Sequence, residues 1–217
     1  GHGFDFNVIE DVCKAIKGVT DKGVQVGIVV GGGNFWRGRS SGAMDRTRAD
    51  SIGMLATVMN SLALQQGFLD IGVEARVQSA VQITGVVETF IRDEAVRHLE
   101  KGRVVIFAGG TGNPFFSTDS GAALRAAQIN ADVLLKATNV DGIYDKDPNK
   151  FDDAVKFDKI TYTLIHLLIT ITDYLFKLFY IIFDCFVFLL LIVGKLSLSH
   201  IYSFSFSFIF LLILSHV

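Results

Sequence analysis

Three glycine-bearing turns collect the residues of this chain whose types and spacing suit chemistry, and the chemistry they suit is holding phosphate. The first is GGGNFWRG, residues 31 to 38, in which Gly32 and Gly33 precede Arg37, a fixed cation whose planar fork fits phosphate oxygens. The second is GGTGNPFFSTD, residues 109 to 119. Gly109, Gly110 and Gly112 allow a tight turn and close approach of backbone to a ligand, and Thr118 or Asp119 stands where a helix N-cap belongs. Free backbone N–H groups and the positive end of a helix dipole together seat an anion. The third is KATNVDGIYDKDP, residues 136 to 148, with Lys136, Thr138, Asp141, Tyr144 and Asp147. Each has a plainer reading: a flexible turn with a solvated arginine, an ordinary strand-to-helix loop, and a polar Asp-Gly turn. Asp50 stands where a helix cap would, and a ribose hydroxyl is also within its scope. No GxxxxGK[ST] is present, and no GxGxxG follows a strand, so Walker-type and dinucleotide-binding sites are not indicated.

These turns need strands to end in them and helices to follow. Val104, Val105, Ile106 and Phe107 form an apolar run suited to a strand covered on both faces. The pattern predicts helices over 7–19, 50–66, 87–102 and 119–130, and strands over 24–30, 75–81, 104–107 and 131–137. Alternation of this kind implies a parallel sheet with helices on both faces, and ligands at the carboxyl ends of its strands. The glycine turns fall at those ends.

The chain has 217 residues and a net charge of -2, with a pI near 6.2. That balance gives no electrostatic case for nucleic acid or an anionic membrane surface. Cys13 and Cys185 lie far apart with no metal-ligand spacing, so a reducing, cytoplasmic setting is the expectation. His2, His98, His166, His200 and His216 form no cluster. The start, GHGFDFNVIED, has no signal-peptide pattern and no initiator Met, and reads as the beginning of a fragment.

Mean hydropathy is +0.44 because two compositions are joined near Tyr162. Residues 163 to 217 hold one glycine, Gly194, and formal charges only at Asp173, Lys177, Asp184 and Lys195. Residues 178 to 194 approach the shortest length for a bilayer span, with Asp184 near the middle at a cost of about 2.5 to 3.5 kcal/mol. The other reading is translation of an AT-rich stretch out of frame or past a splice boundary, favoured by the abrupt switch and the alternating Ser-Phe run at 203–208.

GGGNFWRG, MDRTRADSIGMLATVMNSLAL, RVVIFAGGTGNPFFSTDSGAALRA and ADVLLKATNVDGIYDKDP, in that order, resemble the bacterial-type UMP kinases of the amino acid kinase family over residues 1 to 162. The resemblance implies an αβα sandwich of the amino acid kinase type, here truncated at both ends and followed by an atypical hydrophobic tail over 163–217. It implies transfer of the γ-phosphoryl of ATP to UMP with Mg²⁺, in a cytoplasmic hexamer activated by GTP and inhibited by UTP. By the same resemblance, Gly32 and Asp50 contact UMP, and Thr111, Gly112, Asn113, Pro114, Phe115, Phe116, Ser117 and Thr118 cradle its phosphate and base. Gly33, Arg37, Thr138, Tyr144 and Asp147 fall on the ATP side, with Arg37 and Asp119 catalytic. The family's opening Lys-x-Ser-Gly strand is missing, and the tail stands where its closing strands belong, so this chain is expected to lose those strands and its activity is in question. Rival readings are another family member acting on glutamate, aspartate or carbamate, and a non-catalytic nucleotide-binding or membrane-anchored protein. Arg37→Ala is expected to reduce phosphoryl transfer sharply while leaving UMP binding largely intact; near-normal turnover in that variant would remove Arg37 from the ATP side.

Overall fold

A computed structural model describes residues 3–36, 42, 44–137, 141–146 and 148–159, and the backbone of 209–214. In it, strands β1 (Gln25–Val30), β2 (Ala75–Ser79), β3 (Glu88–Thr89), β4 (Val104–Ala108), β5 (Val133–Ala137) and β8 (Ile209–Leu214) form one sheet in the order β3-β2-β4-β1-β8-β5. β4 pairs parallel with both β1 and β2, and β2 pairs parallel with β3. A separate antiparallel ribbon joins β6 (Ile143–Tyr144) to β7 (Lys156–Phe157).

Side-chain alternation on the central strands separates two cores. Val26, Ile28 and Val30 of β1, with Val104, Ile106 and Ala108 of β4, face one layer, where they pack with Ile9, Cys13 and Ile16 of α1 (Phe6–Thr20) and with Val58, Leu64 and Phe68 of α2 (Arg46–Asp70). Val29, Val105 and Phe107 point the other way, onto Ala95 and Leu99 of α3 (Arg92–Glu100) and Ala122 and Ile129 of α4 (Thr118–Ile129). The fold is therefore the expected parallel-sheet αβα sandwich, with β4 buried along its whole length.

Three local expectations are corrected. The predicted 87–102 helix starts only at Arg92, because Glu88 and Thr89 extend the sheet opposite Gln78 and Ser79. The cap of α2 is Asp45, whose carboxylate accepts from the Arg48 N–H, so the helix begins a turn before Asp50. The cap of α4 is Ser117, accepting from the Ser120 N–H at 3.2 Å, rather than Thr118 or Asp119.

The tail also supplies a strand, contrary to the expected loss of sheet there. β8 lies between β1 and β5 and runs antiparallel to both, pairing Val30 with Ile209 and Ala137 with Ile209 on its two sides. β5 meets the sheet through β8. The candidate membrane segment at 178–194 lies outside the described residues; among those described, no helix is long and apolar enough to cross a membrane.

α1 and α2 meet closely at Gly67, where an added Cβ would sit 2.7 Å from Ile9 Cγ2 and 3.0 Å from Cys13 Sγ. Cys13 is fully buried there, and burial, with a smaller contribution from the Asp70 charge, pushes its thiol from 9.0 up to about 12. The folded chain therefore holds this proton after the unfolded chain has released it, so the thiol's contribution to stability is complete below pH 9 and is lost as pH rises towards 12. Urea titrations from pH 8 to 10.5 should show the wild type losing up to about 1.4 kcal/mol per pH unit more than Cys13→Ala. Parallel pH profiles for the two proteins would overturn this account.

Candidate active site

The carboxyl ends of β1, β2 and β4 open at one edge of the sheet, and the turn after β4 is its centre. Gly109 leaves the strand at φ 74°, and a Cβ there would stand 2.9 Å from Ser79 Oγ and 3.0 Å from the Val81 nitrogen. Only glycine lets the backbones after β2 and β4 come this close. The turn closes through Gly112 N–H to Gly109 O at 2.9 Å. From the α2 side, Thr57 Oγ1 accepts the Gly109 N–H at 2.8 Å. From the α4 side, Gly121 lies flat under the next peptide, where an added Cβ would approach Gly110 C to 3.2 Å.

The first turn of α4 then faces this edge. Its Asp119 side chain is only 6% exposed and accepts from Lys136 Nζ of β5 at 2.9 Å. A carboxylate at a helix N-terminus is favoured by the dipole, and the lysine offsets its burial. This bond takes Oδ2 of Asp119 and brings an ammonium group from the end of β5 up to the start of α4.

Between turn and helix, residues 113–117 project outward. Thr111 Oγ1 accepts from the Asn113 N–H at 3.2 Å, and Phe115 and Phe116 are 60% and 61% exposed. Phe115 adopts φ 70°, a strained conformation for an aromatic residue. Asp50 holds it there: Oδ2 accepts the Phe115 N–H at 2.8 Å, while Arg46 Nε reaches both carboxylate oxygens at 2.9 Å. The Arg46 guanidinium also lies 5.7 Å from the centre of the Phe115 ring. Asp50 is thus a bridge from α2 to the outer loop.

At the end of β1, Gly32 packs on α2 so tightly that a Cβ would come within 2.8 Å of Ala56 Cβ and Gly53 O. Gly33 follows in the turn, and the buried amides of Asn34 and Asn60 bond reciprocally at 2.6 and 3.0 Å while Asn60 also donates to Gly31 O. Trp36 Nε1 donates to Ala49 O at 2.9 Å. Arg37, Thr138 and Asp147 lie outside the described residues. Tyr144 is on the β6–β7 ribbon, where its hydroxyl donates to Asp141 at 2.6 Å. Lys156, and then Tyr144, hold the Asp141 carboxyl below its usual range.

The structure therefore gathers Gly32, Gly33, Asp50, residues 111–118 and Asp119 along the edge where β1 and β4 end. Thr57, Asn60 and Arg46 on α2 and Arg125 on α4 join them without having been singled out as site residues, and Lys136, noted in the third turn, joins them as the partner of Asp119. The available signal was polar side chains inside an apolar helix, ATVMNS, where Thr57, Asn60 and Ser61 are all buried. A second concavity, about 480 Å³, lies at the opposite edge; two of its cations, Lys17 and Arg103, are already paired with Asp21 and Glu74.

A glycine turn and helix N-terminus at the carboxyl edge of an αβα sheet, with a buried carboxylate–lysine pair beside them, are the parts of a phosphotransferase. The family model for the amino acid kinase family matches residues 2–171, and the chain belongs to that family. Among solved structures, it is similar to UMP kinase from Ureaplasma parvum at 38% identity, covering 76% of this chain and 71% of the other with a TM-score of 0.71. It is also similar to UMP kinase from Bacillus anthracis at 34% identity, with 80% and 77% covered and a TM-score of 0.73. The isopentenyl phosphate kinase of T. acidophilum, at 22% identity, 76% and 74% coverage and a TM-score of 0.52, shares the fold.

The Asp50 bridge gives a local prediction. Removing the acceptor in Asp50→Ala should raise hydrogen exchange at the Phe115 amide by about tenfold, the effect of one hydrogen bond of roughly 1.4 kcal/mol, with little change in α2. Unchanged exchange at Phe115 would mean that something other than Asp50 holds the loop.

Proposed function

We propose that this chain is a UMP kinase, transferring the γ-phosphoryl group of ATP to UMP and releasing UDP and ADP. The observation that carries the reading is the 109–119 turn and helix start, with its Asp119–Lys136 pair, in a chain 38% and 34% identical to two UMP kinases. In this reading, residues Thr111 to Thr118 cradle the UMP phosphate and base, and Gly32 and Asp50 complete the UMP side. Arg46 and Phe115 engage three of the roughly four acceptor positions of the Asp50 carboxylate, which leaves capacity at Oδ1 for a ribose hydroxyl. Gly33, Arg37, Thr138, Tyr144 and Asp147 serve the ATP side.

An oxygen of the UMP phosphate attacks the γ-phosphorus, and the bond from that phosphorus to the β,γ-bridging oxygen breaks in line. The nucleophile is already anionic, so no general base is required; positioning and neutralisation of charge supply the rate. Lys136 Nζ, aligned by Asp119, is the cation placed to meet the charge on the transferring group. Mg²⁺ belongs to this reading as the companion of ATP. Among the described residues no group of three His, Cys, Asp or Glu side chains gathers to hold a metal. Asp119 offers a single carboxylate, which fits an ion coordinated mainly by substrate phosphates and water. Bound there with ATP, such an ion would supply charge withdrawal from the phosphates.

A cytoplasmic homo-hexamer, activated by GTP and inhibited by UTP, accompanies the proposal. Leu55 and Met59, one turn apart on α2 and about half exposed, suit burial against another subunit. The test is UDP formation from UMP and ATP with Mg²⁺, run beside glutamate, aspartate and carbamate as acceptors. UDP formation supports the proposal, whereas phosphorylation of one of the other acceptors and not of UMP overturns it. Asp119→Asn should lower kcat about 10²- to 10³-fold, with a much smaller change in KM for UMP.

A further inference from the structure

Arg125 is the least expected buried residue of the site. It is 4% exposed on α4, and among the described residues it has no carboxylate partner. Its guanidinium lies 3.9 Å from the centre of the Phe90 ring, Nη1 donates to Gln128 Oε1, Nη2 donates to Gly110 O at 3.2 Å, and Nε has no hydrogen-bond partner among the described residues. Burying a cation without a counter-charge is unfavourable, and burial pulls the guanidinium pKa down while leaving it charged at neutral pH. An apolar side chain would fill this space at lower cost. What no apolar side chain could do is bind the carbonyl of Gly110.

That bond sets the direction of the next N–H. In a trans peptide the C=O and N–H groups point opposite ways. The 110–111 peptide rests on Gly121, where an added Cβ would lie 3.2 Å from Gly110 C and 3.5 Å from Thr111 N. Arg125 stands one helical turn beyond Gly121 towards the C-terminus of α4. With the carbonyl held by Arg125, the Thr111 N–H points to the other side of the 110–111 peptide, away from the guanidinium. It has no acceptor among the described residues. We propose that Arg125 is a positioning residue of the anion seat: from behind the glycine turn, it aims the Thr111 N–H at the phosphate of the acceptor nucleotide and adds a fixed positive charge beneath it.

The assignment of that phosphate to UMP rests on the function proposed above, and the probes are chosen to separate the two. In the ¹⁵N-labelled full chain, UMP and inorganic phosphate should each move the Thr111 amide proton downfield, and uridine should not. Arg125→Gln should weaken UMP binding about tenfold without changing the affinity for uridine, with partial recovery in Arg125→Lys, which keeps the charge but not the fork. A Thr111 amide unmoved by both phosphate and UMP overturns the inference. So does an Arg125→Gln variant that weakens UMP and uridine equally. The amide measurement uses the unsubstituted chain, so the inference stays testable if the variants fail to fold. If phosphate moves Thr111 but UMP binds no more tightly than phosphate, the UMP reading falls and the role of Arg125 stands.

Discussion

An anion seat built from backbone N–H groups imposes a constraint on everything around it: the donors must be left without protein acceptors and still be held rigidly. A loop that satisfied its own donors would bind nothing, and an unsupported loop would lose them to water and motion. Here the glycine turn is held by its other atoms. Thr57 takes the Gly109 N–H from one layer, Arg125 takes the Gly110 carbonyl from the other, and Gly112 closes on Gly109 O. The two helical layers meet at this turn because β4 is buried along its length and ends there. The αβα sandwich is thus the device that clamps one short loop from both faces.

The same constraint accounts for what could be read from the sequence and what could not. The continuous apolar run Val104–Phe107 revealed a strand covered on both faces, because such a run is a local feature of the sequence. The glycine clusters pointed to this edge because only glycine permits the close approach at Gly109. Caps were harder. Ser117, Thr118 and Asp119 are all capable of capping, and what settles the matter is Lys136, which draws Asp119 inward from β5 and leaves the cap to Ser117. Asp50 was ambiguous for a similar reason, since its partners include a residue distant in sequence, Phe115. The stretch from Val87 to Ile91 carries no alternation of its own, and a helix pattern continues beyond it; pairing of Glu88 and Thr89 with β2 decides it. Thr57 showed only as one polar residue inside an apolar helix, and Arg125 gave no local signal.

β8 belongs to the same class of feature. IFLLIL is a short apolar run that suits a buried strand or a buried helix equally. Its use is set by the space between β1 and β5, where it satisfies backbone groups on both sides. Nothing within 209–214 encodes an antiparallel direction; the direction lies in the register with its two neighbours.

That direction has a consequence for charge at the ligand edge. β1 and β5 point their carboxyl ends to this edge, so an antiparallel β8 presents its first residue, Ile209, there. The residues before it, 196 to 208, contain no lysine or arginine. A parallel strand in the same position would bring the loop that follows it to this edge. Among the described residues, positive charge at this edge can come from the strands that flank β8. Lys136, the penultimate residue of β5, does this, and it is already oriented by Asp119. A buried carboxylate beside an anion seat would by itself repel phosphate. Joined to Lys136, it instead fixes the position of an ammonium group at this edge, so the pair supplies what neither side chain would supply alone.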